Sequence, residues 1–399
     1  TYTIAGLGVE NLTYTGSGNA NLTGNNGDNV MTGNTGNDTL NGGIGNDQLF
    51  GGIGTDTLLG GAGADQLYGG DGTDTASYAD ATAGIVLNFS TGTHTGIAAG
   101  DTFDSIEKFV GTGFKDTFVA TDTAEVFDGG AAVDVIDYSA ATAGISLNLV
   151  TGVHAGFAAG DQLINFEVYV GSAYADTFTG NGSDNIFSGG AGADSFDGGL
   201  GTDAVVYTTA VEIDLLTGIH TGDAAGDTFT SIERIIGSDF IDYFTGSAGA
   251  DWFEGGEGAD IIDGGDGNDT IYAAYKTDVG NLAPSQSASA DMINGGNGAD
   301  TIFGDGMNGP GVIHGGNGSD TIRAGYAHAY GDDDNDTIND VLYIAEGGNG
   351  NDTLNGMGTS FELYGQDGND ILNFGEDLVQ NQKGKGYGGE GDDKYFIYT

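Results

Sequence analysis

The sequence predicts an all-β protein, a parallel β-roll or β-helix solenoid built from nonapeptide repeats. Residues 42–77 are four consecutive copies of the pattern G-G-x-G-x-D-x-U-x, where U is mostly a large apolar residue: GGIGNDQLF, GGIGTDTLL, GGAGADQLY and GGDGTDTAS. The aspartates and the apolar residues recur every nine positions without a slip, and glycine makes up 79 of the 399 residues. Tandem repeats of a short fixed period are typical of solenoids, whose length measures the number of coils.

Each nonapeptide is predicted to form half a coil, a turn followed by a strand. The glycines permit positive φ angles, and the x-U-x segment suits a strand with one side chain pointing inward. Two nonapeptides make a coil of eighteen residues, so turns that start at Gly33, Gly51 and Gly69 should stack, as should those at Gly42 and Gly60. The apolar column is predicted to be core: Leu40, Leu49, Leu58, Leu67, Ile262, Ile271, Ile302, Ile322, Ile338, Leu354 and Leu372.

The turns are predicted to bind several calcium ions. Backbone carbonyls and a carboxylate are the hard oxygen ligands that calcium prefers, and an ion between stacked turns would take ligands from both. The alternative is that the aspartates are turn-forming, solvated residues. The predicted metal ligands are Asp38, Gly42, Ile44, Asp47, Gly51, Ile53, Asp56, Gly60, Ala62, Asp65, Gly69, Asp71, Asp74, Gly189, Asp194, Gly198, Asp203, Asp251, Gly255, Asp260, Gly264, Asp269, Gly295, Asp300, Gly315, Asp320, Asp336, Gly347, Asp352, Asp370, Gly388 and Asp393.

The charge of the chain requires cations as partners. The formal net charge is −51, and the first basic residue is Lys108, after twelve acidic residues. Salt bridges within the chain cannot neutralise these carboxylates, so a multivalent metal is the expected counterion. Without a basic patch, no nucleic acid partner is expected. No apolar run has the length of a transmembrane segment, and the absence of cysteine fits a chain that leaves the cell without disulfides.

Four regions are predicted along the chain. Residues 1–77 form an N-terminal β-roll, and residues 78–272 contain three longer β-helical units, about 78–119, 138–179 and 206–245, that alternate with nonapeptide turns. Residues 273–294 break the frame and are predicted to be a loop or hinge. Residues 295–399 form a C-terminal β-roll whose turns recur about once per coil and should therefore line mainly one side. The chain, which begins at Thr1, is expected to be a fragment or a processed product.

The longer units raise the question of further sites. Each has two β-rich runs, IVLNF and FDSIEKFV in the first, around a loop of the form T-G-x-H-x-G-x-A-A-G-D. The matched histidines, His94, His154 and His220, are interpreted as structural because they recur singly in separate copies. The acid pairs of the three units are interpreted either as further calcium ligands or as solvated loop acids: Asp101 with Glu107, Asp161 with Glu167 and Asp227 with Glu233.

The strict repeats resemble those of the RTX (repeats-in-toxin, hemolysin-type) family of calcium-binding proteins. That resemblance implies parallel β-rolls with calcium between the turns, export by type I secretion, and folding outside the cell on extracellular calcium. It leads to the expectation of a secreted, calcium-rigidified structural or surface protein, such as an S-layer, filament or adhesin. Copies of itself or a cell-surface polysaccharide are the expected partners besides calcium.

The alternative is the non-catalytic C-terminal RTX region of a secreted enzyme, of the protease, lipase or alginate epimerase type. The sequence contains neither an H-E-x-x-H zinc motif nor a G-x-S-x-G nucleophile elbow. No enzymatic activity of the chain itself is therefore expected.

Overall fold

The chain folds into β-strands stacked coil upon coil. The structure is a computed structural model, and it describes residues 1–275, 290–304, 311–358, 360–375 and 384–397. Two single-turn 3₁₀ helices, η1 (Gly96–Ala98) and η2 (Gly156–Ala158), interrupt the strands. The prediction of an all-β solenoid is confirmed. Two compact units are present, one comprising Thr1–Asn181 with Asn185–Gly190 and the other Gly182–Asp184 with Ala191–Thr399.

The first unit contains twenty strands. They are β1 (Tyr2–Thr3), β2 (Asn11–Thr13), β3 (Asn21–Thr23), β4 (Val30–Thr35), β5 (Thr39–Ile44), β6 (Gln48–Gly54), β7 (Thr57–Ala62), β8 (Gln66–Gly72), β9 (Thr75–Ser77), β10 (Val86–Asn88), β11 (Thr102–Asp104), β12 (Lys108–Val110), β13 (Thr117–Val119), β14 (Val126–Asp128), β15 (Val135–Asp137), β16 (Ser146–Asn148), β17 (Gln162–Ile164), β18 (Val168–Val170), β19 (Thr177–Thr179) and β20 (Ile186–Ser188). They pair in parallel in the orders β1-β3-β5-β7-β9-β12-β14-β17, β2-β4-β6-β8-β11, β10-β13-β15-β18-β20 and β16-β19.

The second unit continues with parallel pairing, apart from one antiparallel pair between Val211–Asp214 and Thr221–Gly222. Its strands are β21 (Ser195–Asp197), β22 (Ala204–Val206), β23 (Val211–Asp214), β24 (Thr221–Gly222), β25 (Thr228–Thr230), β26 (Arg234–Ile236), β27 (Tyr243–Thr245), β28 (Trp252–Glu254), β29 (Ile261–Asp263), β30 (Thr270–Tyr272), β31 (Met292–Asn297), β32 (Thr301–Phe303), β33 (Val312–Asn317), β34 (Thr321–Arg323), β35 (His328–Asp333), β36 (Thr337–Val341), β37 (Ile344–Asn349), β38 (Thr353–Gly356), β39 (Glu362–Asp367), β40 (Ile371–Phe374), β41 (Lys385–Glu390) and β42 (Lys394–Ile397). The even strands from β26 to β42 form one ladder that begins at β22, and the odd strands from β27 to β41 form another that begins at β23.

The tandem repeats stack with the predicted eighteen-residue register. Asn34 pairs with Gly52 and Gly52 with Gly70 on one side, while Gly43 pairs with Gly61 on the other. The strands are longer than the x-U-x segment, because the ladder continues through the two glycines of the following turn. The stacking prediction is confirmed, and half of each turn belongs to the sheet.

The longer units replace a turn with a folded-back loop. After β10 the chain returns so that the backbone N–H of Thr95 donates to the carbonyl of Val86 at 2.9 Å. The run FDSIEKFV does not form one strand but divides into β11 and β12 at Ser105, which has a φ of 54°. Matching positions in the other two units, Asn165 and Ser231, have φ values of 55° and 50°. This positive-φ residue lets the chain turn within three residues.

The core is the predicted apolar column. Its leucines and isoleucines have at most 1% of their surface exposed. Burying one such side chain contributes about 1.5–3 kcal/mol, so each half-coil is held by its own inward residue. Aromatic residues beside the turns cover the coils instead: Phe50 and Tyr68 stack with ring centroids 4.6 Å apart.

In the last hundred residues, the turns stack in a single column. Gly296 pairs with Gly316, Gly316 with Asp332 and Asp332 with Gly348, and the column continues to Gly389. The predicted loop or hinge at 273–294 lies largely outside the described residues, as do parts of the variable segments between the later coils.

Candidate metal centre

Each repeat aspartate is held in place by a ladder of hydrogen bonds between coils. The backbone N–H of Asp38 donates to Oδ1 of Asp56 at 2.7 Å, and that of Asp56 donates to Oδ1 of Asp74 at 2.8 Å. On the opposite side, the N–H of Asp47 donates to Oδ1 of Asp65 at 2.7 Å. The same link recurs through the second unit. One carboxylate oxygen is thus committed to the fold.

The second oxygen of these aspartates is buried without a hydrogen bond. The side chains are at most 2% exposed, and Oδ2 finds no hydrogen-bond partner among the described residues. An unpaired carboxylate oxygen away from water is costly, so each of these atoms points to a missing ligand. The aspartates with this arrangement are Asp38, Asp47, Asp56, Asp65, Asp74, Asp134, Asp260, Asp269, Asp291, Asp300, Asp320, Asp336, Asp352 and Asp370.

A backbone carbonyl converges on the same space. A Cβ added to Gly42 would lie 2.2 Å from Oδ2 of Asp47 and 2.7 Å from the carbonyl oxygen of Gly60, one coil further on. At Gly51 the corresponding distances are 2.4 Å to Oδ2 of Asp56 and 2.7 Å to the Gly69 carbonyl. Only glycine leaves this cradle open, which explains the invariable first glycine of the tandem turns.

Burial raises the pKa values of these carboxyl groups because it disfavours the charged form. The pKa is about 6 for Asp56 and Asp65, about 7 for Asp134 and about 8 for Asp260 and Asp336. Neighbouring carboxylates raise these values further. A bound cation would act in the opposite direction and keep the groups ionised at neutral pH.

The donor set fits a hard cation. Among the described residues, no three Asp, Glu or His side chains converge on one point. A cation between turns would therefore be held by a carboxylate oxygen and backbone carbonyls, an all-oxygen set typical of calcium rather than of zinc or copper.

Other predicted ligands differ in their surroundings. The side chains of Ile44, Ile53, Ala62 and Asp71 are exposed. Among their carbonyls, that of Ile53 accepts the N–H of Gly36 and that of Ala62 accepts the N–H of Gly45, each at 2.9 Å. These carbonyls already belong to the ladder between coils.

Asp251 departs from the common arrangement, because its Oδ2 accepts the N–H of Ser247 at 2.6 Å. The backbone N–H of Asp251 itself donates to Oδ1 of Asp269 at 2.9 Å, so its place in the ladder is kept. Asp393, in the last described turn, is only partly buried and accepts the N–H of Asp370 at 3.1 Å.

The acid pairs of the longer units are not brought to one site. Asp101 accepts the N–H of Asp65 at 2.8 Å and the hydroxyl of Tyr78 at 2.7 Å, whereas Glu107 accepts the N–H of Asp74 at 2.8 Å. The two acids therefore extend different columns, and the other two units repeat this arrangement with Tyr138 and Tyr207. These tyrosines were not among the predicted site residues, although each lies at the start of its unit.

The histidines of the longer units act within their loops. The Nδ1 atoms of His94, His154 and His220 accept backbone N–H groups six residues earlier in the chain, at 3.1–3.2 Å. The rings are at most 9% exposed, and burial lowers their pKa values. A neutral, buried imidazole that closes its own loop agrees with the structural interpretation.

Comparison with known proteins identifies the repeats. The family model of the RTX calcium-binding nonapeptide repeat matches residues 14–49, 50–77, 170–205, 236–271, 287–308, 305–326 and 346–377, just over half of the chain. No curated protein matches the sequence. Within the described residues, no helix combines the length and apolar character needed to span a membrane. The chain therefore belongs to the RTX calcium-binding nonapeptide repeat family.

Proposed function

We propose that this protein is a secreted structural or surface protein whose coils fold and become rigid when calcium enters the stacked turns. The observation that carries the proposal is the set of buried aspartates whose Oδ2 atoms find no hydrogen bond within the described parts of the chain. At most of these turns a backbone carbonyl of the next coil faces Oδ2 across the space beside the first glycine, as the Gly69 carbonyl faces Asp56. With a net charge of −51, the fold also needs counterions.

Calcium would supply charge neutralisation at each turn and would link two successive coils. Asp56 with the Gly69 carbonyl and Asp47 with the Gly60 carbonyl are the clearest pairs of ligands. Extracellular calcium sites have dissociation constants of about 10⁻⁴–10⁻³ M, so the fold would form outside the cell and be lost in chelator.

A calcium titration tests this. Far-UV circular dichroism in EDTA should show an unfolded chain, and millimolar Ca²⁺ should produce the β-spectrum, with Mg²⁺ far less effective. A spectrum that is β-rich in EDTA and unchanged by calcium would contradict the proposal.

Exposed apolar side chains support an assembling role over an enzymatic one. The loops of the second and third longer units carry Val150 and Val153, 69% and 70% exposed, and Leu216 and Ile219, 66% and 68% exposed. The first unit has Ser90 and Thr93 at those positions. Exposed apolar residues of this kind mark interaction sites, and we infer that further copies of the chain or a surface polymer bind there.

The chain provides its own control for this inference. A variant with four changes gives the loops of the second and third units the Ser and Thr found in the first: Val150→Ser, Val153→Thr, Leu216→Ser and Ile219→Thr. Calcium-loaded wild type should form sheets or filaments in electron micrographs, and the variant should stay dispersed with an unchanged spectrum. Equal assembly of both proteins would refute a role for these loops, and a catalytic domain upstream in the full-length protein would favour the alternative of an enzyme's RTX region.

A further inference from the structure

The turns of this protein fall into two kinds that differ at their second residue. In most turns this residue has a positive φ, for example 115° at Gly52 and 105° at Gly256, and Oδ2 of the turn's aspartate has no hydrogen bond. We call these open turns. In closed turns the second residue does not have a positive φ, and its own N–H donates to the residue in the sixth position.

Among the turns that the structure describes, four closed ones contain a hydroxyl residue at the second position. The N–H groups of Thr112, Ser172, Ser238 and Ser247 donate to Oδ2 of Asp116, Asp176, Asp242 and Asp251 at 2.5–2.6 Å. Each hydroxyl also reaches the same carboxylate, at distances from 2.8 Å at Ser172 to 3.3 Å at Ser247. These carboxylates are satisfied by two neutral donors of their own turn.

Two more closed turns have lost the carboxylate altogether. In residues 24–29, Asn29 stands in the aspartate position and accepts the N–H of Asn25 at 2.8 Å. In residues 180–185, Asn185 accepts the N–H of Asn181 at 2.9 Å. A neutral amide at the sixth position needs no cation, so the chemistry of these turns agrees with their geometry.

The backbone angle, rather than the presence of glycine, separates the two kinds. Asn34, Asp332 and Gln366 replace the second glycine in three turns, yet their φ values are 82°, 75° and 75°, and the aspartates of those turns keep an unpaired Oδ2. Asn and Asp tolerate positive φ, whereas Ser and the β-branched Thr adopt it rarely.

We propose that only the open turns bind calcium, and that in the closed turns the backbone N–H of the second residue, together with its hydroxyl where it has one, takes the place of the ion. The inference rests on the proposed calcium-dependent fold and sorts its sites. It removes Asp251 from the ligands expected from the sequence. It adds Asp134. The turn of Asp134 departs from the motif, because Ala132 replaces a glycine and has a φ of 84°. The turn is nevertheless open, since Gly130 has a φ of 104° and Oδ2 of Asp134 is unpaired among the described residues.

Ser247→Gly provides the sharpest test, because it turns GSAGAD into the strict sequence GGAGAD. The cradle is already present there: a Cβ on Gly246 would lie 2.9 Å from Oδ2 of Asp251, and the Gly264 carbonyl faces the same space. Native mass spectrometry of the full chain in Ca²⁺ should count one more ion in this variant than in wild type. A combined variant that carries Thr112→Gly, Ser172→Gly and Ser238→Gly in addition to Ser247→Gly should gain four.

Ser247→Ala is the matched control, since it removes the hydroxyl but does not free the backbone angle; its ion count should equal that of wild type. The reverse change, Gly256→Ser, should lose one ion. If wild type binds calcium but the glycine variants bind the same number, the sorting of turns is wrong while the proposed function stands. If wild type binds no calcium, the proposed function itself fails.

Discussion

Without calcium, the fold should be more stable at pH 5 than at pH 8. Burial raises the pKa of Asp47, Asp56 and Asp65 from 3.8 to about 6 in the cation-free fold. A folded state with raised carboxyl pKa values binds protons more tightly than the unfolded chain does. The folded state is therefore most stable at a pH below the carboxyl pKa of the unfolded chain. This stability is lost as the pH rises through 6.

The magnitude is large enough to decide whether the chain folds. A difference of about 2.2 pH units corresponds to about 3 kcal/mol for each carboxyl group at pH 7.5, at about 1.36 kcal/mol per unit. Each such group alone therefore costs a substantial part of the whole stability of a domain, about 5–15 kcal/mol. Asp260 and Asp336 have pKa values of about 8, so they extend the pH range over which stability is lost to higher pH.

The assay is circular dichroism and guanidinium unfolding in EDTA from pH 8 to pH 5. The β-signal and the unfolding midpoint should both rise as the pH falls, and Asp56→Asn should weaken the dependence because an amide does not titrate. In calcium the trend should reverse, since protons compete with the ion. A cation-free chain that is equally stable at both pH values, or more stable at pH 8, would refute the reasoning.

Three further predictions concern single residues. Leu58→Ala should lower the free energy of unfolding, measured in guanidinium, by about 2–5 kcal/mol because Leu58 is fully buried. Ile53→Ala is the control: its side chain is 57% exposed, so the free energy of unfolding should change by less than about 0.5 kcal/mol. Tyr78→Phe should cost about 1–3 kcal/mol, since it leaves an oxygen of Asp101 buried and unpaired. Gly51→Ala should reduce both stability and calcium affinity, measured by titration calorimetry, because a Cβ there would meet backbone and carboxylate oxygens.

Matched controls are available for the last two changes. Tyr68→Phe removes a hydroxyl that bonds to exposed Gln66, and it should be nearly neutral. Gly113→Ala places a methyl group where no atom lies within 4 Å. If Tyr78→Phe costs no more stability than Tyr68→Phe, the Asp101 contact does not matter. If Gly51→Ala costs no more than Gly113→Ala, the cradle at Gly51 does not matter.

Much of the fold could be predicted from the sequence because the repeat fixes it locally. The positions of Leu49 and Leu58 in the period place them inward, and the eighteen-residue coil then follows from two half-coils. The register of the turns is confirmed, as is the buried apolar column.

The side-chain partners could not be predicted in the same way. Asp101 accepts a hydrogen bond from Tyr78, 23 positions earlier, and Glu107 accepts one from the backbone of Asp74, 33 positions earlier. The two acids, which are close in sequence, therefore belong to different columns. The distinction between Ser247 and Asn34 depends on the sign of one backbone angle, which the motif does not encode.

The ladder of aspartates gives the stack a direction. In every described link between the sixth-position aspartates, the donor is the N–H of the earlier coil and the acceptor is the carboxylate of the later one. At the fifth position of the turns the direction is reversed: the N–H of Asn46 donates to Oδ1 of Asp28, and that of Thr55 to Oδ1 of Asn37, each one coil earlier. Removing a coil therefore deprives the coil before it of a carboxylate acceptor and the coil after it of a fifth-position acceptor, so the two ends of an ordered array differ chemically.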